Sequence, residues 1–371
     1  MLNLNKSNDN KKTEGFLKVS IVALVAMAAF LVNYLWGEGG NIFQQADLLD
    51  NSLISRFDDS ENAETKSALL KLTKLNSEEA AYAVFSPDED RVFYYVPFTG
   101  ELRSVALDGS SPARTIATVE KSAEKVSWSR NMKEVFITKD GVTRYIDLTS
   151  GISKMFDGNI ISPAFSHYDD NRTAYLYFDR NTGLGNISIG DSKLESYKNI
   201  MPTRSNDWRI DWLDKDKLLL TKPYPSILGT LGVYSLDIES GKLEPIIDFR
   251  ENLEFKISPT LMRVVYSHTR KDKKYVYLAD LNSGNRKMLE TNIDVSSCVW
   301  SNKALILYCV DNTGEGSVFY KLDTEVAKMA PQEIFKSNDK IDASGLMLSS
   351  GEDRIIFKDL NNNRLYSLQL N

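Results

Sequence analysis

Cysteine and histidine are nearly absent: 371 residues contain two of each. Structural zinc usually takes four Cys or His ligands, and His167, His268, Cys298 and Cys309 are spread over more than a hundred positions, so no metal and no cofactor is expected. Concentrated basic surface is lacking too. Lys and Arg number 45 against 51 Asp and Glu, the net charge is −6, and both signs are scattered. Phosphate binding needs banked positive charge, so nucleic acid is not an expected partner. Long amphipathic helices are also missing beyond residue 66. Asp/Asn clusters such as Asp359-Leu360-Asn361 lack the Gly and distal Glu of a calcium loop and read as turns.

One long apolar run is present. Residues 16–36 read FLKVSIVALVAMAAFLVNYLW, and from Val19 to Val32 the only polar side chain is Ser20. Twenty-one helical residues rise about 31 Å, which matches a hydrocarbon core of roughly 30 Å. Lys6, Lys11, Lys12 and Lys18 precede the run or open it, and no Lys or Arg follows until Arg56. Positive charge stays inside, so the sequence predicts a single-pass cell-membrane anchor with a cytoplasmic tail at 1–15 and the rest extracytoplasmic. Ala26-Met27-Ala28 has the form of a signal-peptidase site, but the apolar run continues past it. Residues 37–65 read as a linker: Gly37, Gly39 and Gly40 give flexibility, and Ile42, Ala46, Leu49, Leu53 and Phe57 fall at the spacing of a short amphipathic helix.

The remainder, 66–371, repeats itself. The unit is an apolar strand, a polar turn, a second strand, a loop, a third strand with Asp or Gly turn chemistry, and a fourth. Its first turn recurs at Ser86, Ser129, Ser166, Leu213, Ser258, Ser301 and Ser349, spaced 37 to 48 residues apart. A period of about 40–45 with four short strands marks a propeller blade. The expected fold is therefore all-β, a seven-bladed β-propeller. The last repeat stops after its third strand, and SALLKLTKLN (67–76) has no repeat of its own. An unpaired edge would be left open, so this N-terminal strand is expected to close the ring.

FSPDED, WSRNMKE, ISPTLMR and WSNKA, with the companion turns LDGS, LTSG, LDIESG and LNSG, resemble the TolB-like class of propeller repeats, which also builds the propellers of dipeptidyl-peptidase-type enzymes. The span, linker and propeller together look like membrane-anchored bacterial propeller proteins. The resemblance implies the fold and carries over no catalytic residue. A peptidase of that kind needs an added α/β-hydrolase domain with a G-x-S-x-G elbow; Gly314-Glu315-Gly316-Ser317 is no such elbow, and neither histidine has a triad context.

Loops joining the second to the third strand, and the fourth to the next first strand, share one face of a propeller. DRNTGLG (179–185), MPTRSNDW (201–208), KPYPSILGTLG (222–232) and TRKDKK (269–274) are the most suggestive there. Arg204, Trp208 and Tyr224 are residue types that dominate interface hot spots, and His268 ends a strand near that face; these four are the candidate partner-binding residues. Trp208 and Trp212 also suit packing between blades. His167 falls in a turn and is expected to be solvated. Cys298 and Cys309 stand opposite each other on a predicted hairpin and are expected to form a disulfide, in keeping with an oxidising compartment. The functional expectation is a recognition or scaffold module for a protein, peptide or envelope polymer, not an enzyme. The alternative is a propeller hydrolase or lactonase with a metal in the central channel, although the inner strands offer little besides Asp211 and Lys256.

Overall fold

From residue 72 onward, alternation of β-branched and aromatic residues with polar ones, interrupted every few residues by Asp, Asn, Ser or Gly, favours short strands and turns. In a computed structural model, residues 72–370 are described apart from 87, 89, 224–228, 290, 292, 315, 327–329 and 338. The predicted span at 16–36, the linker at 37–65 and Tyr224 lie outside the described residues. Among the described residues no helix is long and apolar enough to cross a membrane, and the one helical turn is a 3-10 turn at Val295–Ser297.

The strands are β1 (Leu72–Lys74), β2 (Ala81–Ser86), β3 (Arg91–Val96), β4 (Glu101–Ala106), β5 (Arg114–Thr118), β6 (Lys125–Trp128), β7 (Glu134–Lys139), β8 (Val142–Asp147), β9 (Ser153–Met155), β10 (Ile160–Phe165), β11 (Thr173–Asp179), β12 (Leu184–Gly190) and β13 (Tyr197–Thr203). They continue as β14 (Arg209–Trp212), β15 (Lys217–Pro223), β16 (Thr230–Asp237), β17 (Leu243–Ile257), β18 (Arg263–Arg270), β19 (Lys273–Asp280), β20 (Arg286–Leu289), β21 (Cys298–Trp300), β22 (Ile306–Asp311), β23 (Val318–Asp323), β24 (Gln332–Lys336), β25 (Ala343–Leu348), β26 (Arg354–Asp359) and β27 (Arg364–Gln369). Among the described residues all pairings are antiparallel. Five sheets have four strands, β2–β5, β6–β9, β10–β13, β21–β24 and β25–β27 with β1, and one has seven, β14–β20. Strands of successive sheets lie side by side: β2 with β6, β6 with β10, β10 with β14, β21 with β25 and β25 with β2, all at sheet edges, and β17, the middle strand of the seven-stranded sheet, with β21. β1 pairs with β27, Leu72 opposite Leu368.

Two recurring side-chain locks explain the repeat. Ser86, Ser129, Ser166, Ser258, Ser301 and Ser349 are all buried. The Oγ atoms of Ser129, Ser258 and Ser349 accept the N–H five residues on, from Glu134, Arg263 and Arg354 at 2.9–3.0 Å. In the other turn Asp108, Asp147, Asp237 and Asp280 accept N–H groups two or three residues ahead at 2.8–2.9 Å. Hydrogen bonds from Ser110, Ser150, Ser240 and Ser283 hold these carboxyls below the usual range.

Neighbouring sheets are pinned by tryptophan. Trp128, Trp212 and Trp300 end the inner strands β6, β14 and β21, and each is buried. Their indole N–H groups donate to the carbonyls of Tyr82, Ala164 and Lys256, on the inner strand of the preceding sheet, at 3.0, 3.1 and 2.8 Å. Cys298 and Cys309 are paired across β21–β22 and joined by a disulfide, with Cα atoms 4.1 Å apart. They pack beside Trp300, Leu307 and Val265.

Candidate functional site

The four residues singled out by type fall in different environments. Arg204 is exposed in the β13–β14 loop. Trp208 is 6% exposed within the core shared by β11, β12, β15 and β16. Its Nε1–H donates to Thr203 Oγ1 at 3.1 Å, Tyr234 meets its ring edge-on at 5.7 Å, and the Lys222 ammonium lies 4.9 Å from the ring centroid. That corrects the reading of Trp208 as a recognition side chain: its indole is consumed by packing. His268 is half-buried on β18. It stacks on Tyr277 at 5.6 Å and Tyr275 at 6.0 Å, and Tyr266 stacks on Tyr277 at 5.2 Å, in a cross-strand ladder whose register pairs Tyr266 with Tyr277 and His268 with Tyr275.

His167, expected to be solvated in its turn, has a partner. Its Nε2 lies 3.4 Å from Asp211 Oδ1, with the two side chains 59% and 60% exposed. The hydrogen bond to Asp211 pushes His167 up, against burial and the charge of Arg130. Burial would raise the Asp211 carboxyl, but the bond and charge of His167 outweigh it and hold it low. The two residues stand one repeat apart, and only the side-by-side placement of β10 and β14 brings them together. Among the described residues no group of three or more His, Cys, Asp or Glu could hold a metal ion.

At the other end of the same strands lies a cavity of about 720 Å³, walled by the starts of β6, β10 and β14 and by the β7–β8 and β11–β12 turns. Lys125, Arg180 and Arg209 converge on it, with Asn206 from the β13–β14 loop and Glu124 as the single carboxylate. Arg180 and Arg209 are exposed and Lys125 is half-buried. None of the three cations makes a hydrogen bond or contact ion pair with a described residue. Burial depresses Lys125; Asp211 opposes this and Arg209 adds to it. Glu124 is already engaged, accepting the Asp140 N–H at 3.1 Å.

The wall contains backbone strain. Ser162 sits in a bulge of β10 at φ 52°, in the left-handed region that costs an L-residue about 1–2 kcal/mol. Its Oγ accepts the Ile210 N–H at 3.1 Å, tying β10 to β14 beside the cavity. Tyr82, Asn252 and Gly345 occupy matching left-handed bulges in β2, β17 and β25, so this is a repeated property of the inner strands. The loops DRNTGLG and MPTRSNDW do border the cavity. Lys125 and Arg209 were missed because, read along the chain, each is merely a charged residue opening a strand.

No protein-family model matches the chain, and no curated protein matches it. Solved structures do. An oligogalacturonate lyase in complex with manganese is similar at a TM-score of 0.59 and 11% identity, over 85% of this chain and 96% of that one. The β-propeller domain of Myceliophteria thermophila Cps50 (Swd1) is similar at a TM-score of 0.53 and 12% identity, over 81% of this chain and all of that one (100%). TolB from Acinetobacter baumannii aligns at a TM-score of 0.42 and 14% identity, over 82% of this chain and 67% of that one. At such identities the first two likenesses establish the fold alone: the described chain is a β-propeller.

Proposed function

We propose that this protein is a single-pass membrane protein whose propeller, outside the cytoplasm, recognises a protein, peptide or envelope polymer. Lys125, Arg180 and Arg209, gathered at one end of the inner strands without a contact ion pair to any described residue, carry the reading: an excess of positive charge around a cavity is a surface prepared for an opposite charge. The anchor rests on the apolar run at 16–36 and its basic flank. The Cys298–Cys309 disulfide is consistent with an oxidising compartment. We further propose seven blades. The seven-stranded sheet contains two four-stranded units sharing β17, whose bulge between Glu251 and Glu254 turns the chain from one into the next. The β1–β27 pairing and the β25–β2 contact support ring closure. The reading predicts that chemical crosslinking in intact envelopes joins the full-length protein to a discrete partner; recovery of the uncrosslinked chain alone would refute it.

A second reading, a propeller hydrolase or lactonase with a channel metal, is favoured by the His167–Asp211 pair and by the naming of a structural neighbour as a lyase. Stoichiometric calcium or iron in the purified full-length protein would place it first.

A further inference from the structure

We propose that the cavity at the starts of β6, β10 and β14 is the binding site for an acidic peptide segment, its carboxylates held by Lys125, Arg180 and Arg209. This rests on the recognition reading above and names the partner's chemistry.

Charge decides the sign of the ligand. Three cations face one lining carboxylate, Glu124, which also accepts the Asp140 N–H, and Asp211 near Lys125 is the second negative charge, so positive charge is in excess. Two of the cations are guanidinium groups, whose fork of donors matches a carboxylate bidentately. The rest of the wall decides the class. Ile160, Ile161, Pro163 and Ile210 give it an apolar side, and none of the described residues lining it is aromatic. A sugar polymer would find no ring face to stack on, whereas a peptide alternating acidic and aliphatic residues finds cations on one side and aliphatic surface on the other. Asn206 adds an amide able to pair with a peptide main chain. The cavity is drawn from three successive sheets, and Ser162 Oγ fixes β10 against β14, so the cations are presented on braced strands and short turns.

The test uses the full-length protein in detergent micelles and a fluorescent hexapeptide alternating glutamate and leucine, read by anisotropy. The expected result is saturable binding that weakens as salt is raised. A hexapeptide with lysine in place of glutamate should not bind. The double variant Arg180→Gln/Arg209→Gln should bind at least about tenfold more weakly. Both arginines are exposed, so its thermal midpoint should match the parent. Undiminished binding by the variant, binding of the lysine peptide, or equal competition by trigalacturonate or inorganic phosphate would each overturn the proposal. If the acidic peptide fails while the wild-type chain still crosslinks to a partner in envelopes, the cavity assignment falls and the recognition reading stands. If no partner is crosslinked either, both fall.

Discussion

Trp208 and Arg204 are four residues apart and differ in what their removal should do. Trp208 fills a core position between Tyr234 and Lys222, so Trp208→Ala should cost about 3–5 kcal/mol in a urea titration. Arg204 is exposed, and Arg204→Ala should stay within about 0.5 kcal/mol of the parent. The sequence narrows Trp208 to two roles but cannot choose between them, because an aromatic beside a loop is equally apt for packing and for recognition. Burial chooses. The cysteine pair is more legible: two residues eleven apart, on strands whose register makes them opposite, have one simple relation. Replacing both by alanine should lower stability by roughly 2–3 kcal/mol, the scale for releasing a loop of this length. The native protein should have a mass two hydrogens below that of the dithiol form.

The turns were the most readable elements. Serine after the first strand and aspartate after the third recur because each side chain satisfies backbone N–H groups the hairpin leaves unpaired. Backbone strain was not readable in the same way. The β7–β8 and β18–β19 hairpins both have two-residue turns with left-handed φ at both positions. In the first they are Asp140 and Gly141, which suit a type I′ turn; in the second they are Lys271 and Asp272, at φ 50° and 60°. Both residues of the second turn are exposed, so little packing is at stake. Lys271→Asn with Asp272→Gly should stabilise the protein by about 1 kcal/mol, seen as a higher thermal midpoint. An unchanged or lower midpoint would show that this turn carries no removable strain.

Across the whole propeller, its first and last strands are laced by a few groups near β1. Asn76 Oδ1 accepts the buried Leu365 N–H at 2.7 Å, and Leu75 N–H donates to Leu365 O at 2.8 Å. Four residues past β1, Glu78 accepts from Arg103 Nη1 at 2.7 Å and from the Tyr94 hydroxyl. Burial would raise the Glu78 carboxyl, but hydrogen bonds from Tyr94, Arg103 and Ser77 outweigh it and lower it from 4.5 to about 2. A depressed folded-state value means that the stability Glu78 confers is complete above about 4.5 and is lost as pH falls towards about 2. Wild type should therefore exceed Glu78→Gln in stability at pH 6, with the difference vanishing by about pH 2 in acid titrations followed by circular dichroism. The leftover strand at 67–76 pointed to the pairing of β1 with β27, and the repeat period made the four-stranded antiparallel units foreseeable. The cationic cavity was not, because Lys125, Arg180 and Arg209 belong to three repeats and meet only when the sheets are assembled.

Photo-crosslinking from the two ends of one strand tests the recognition account most directly. Arg204 precedes β14 on the cavity side, and Lys215 follows it in the turn at the opposite end. With a photoreactive residue placed at one or the other position in the full-length protein, illumination of intact cells should give a discrete crosslinked species from position 204 and none from 215. Equal yields from both ends, or a species from 215 alone, would contradict it.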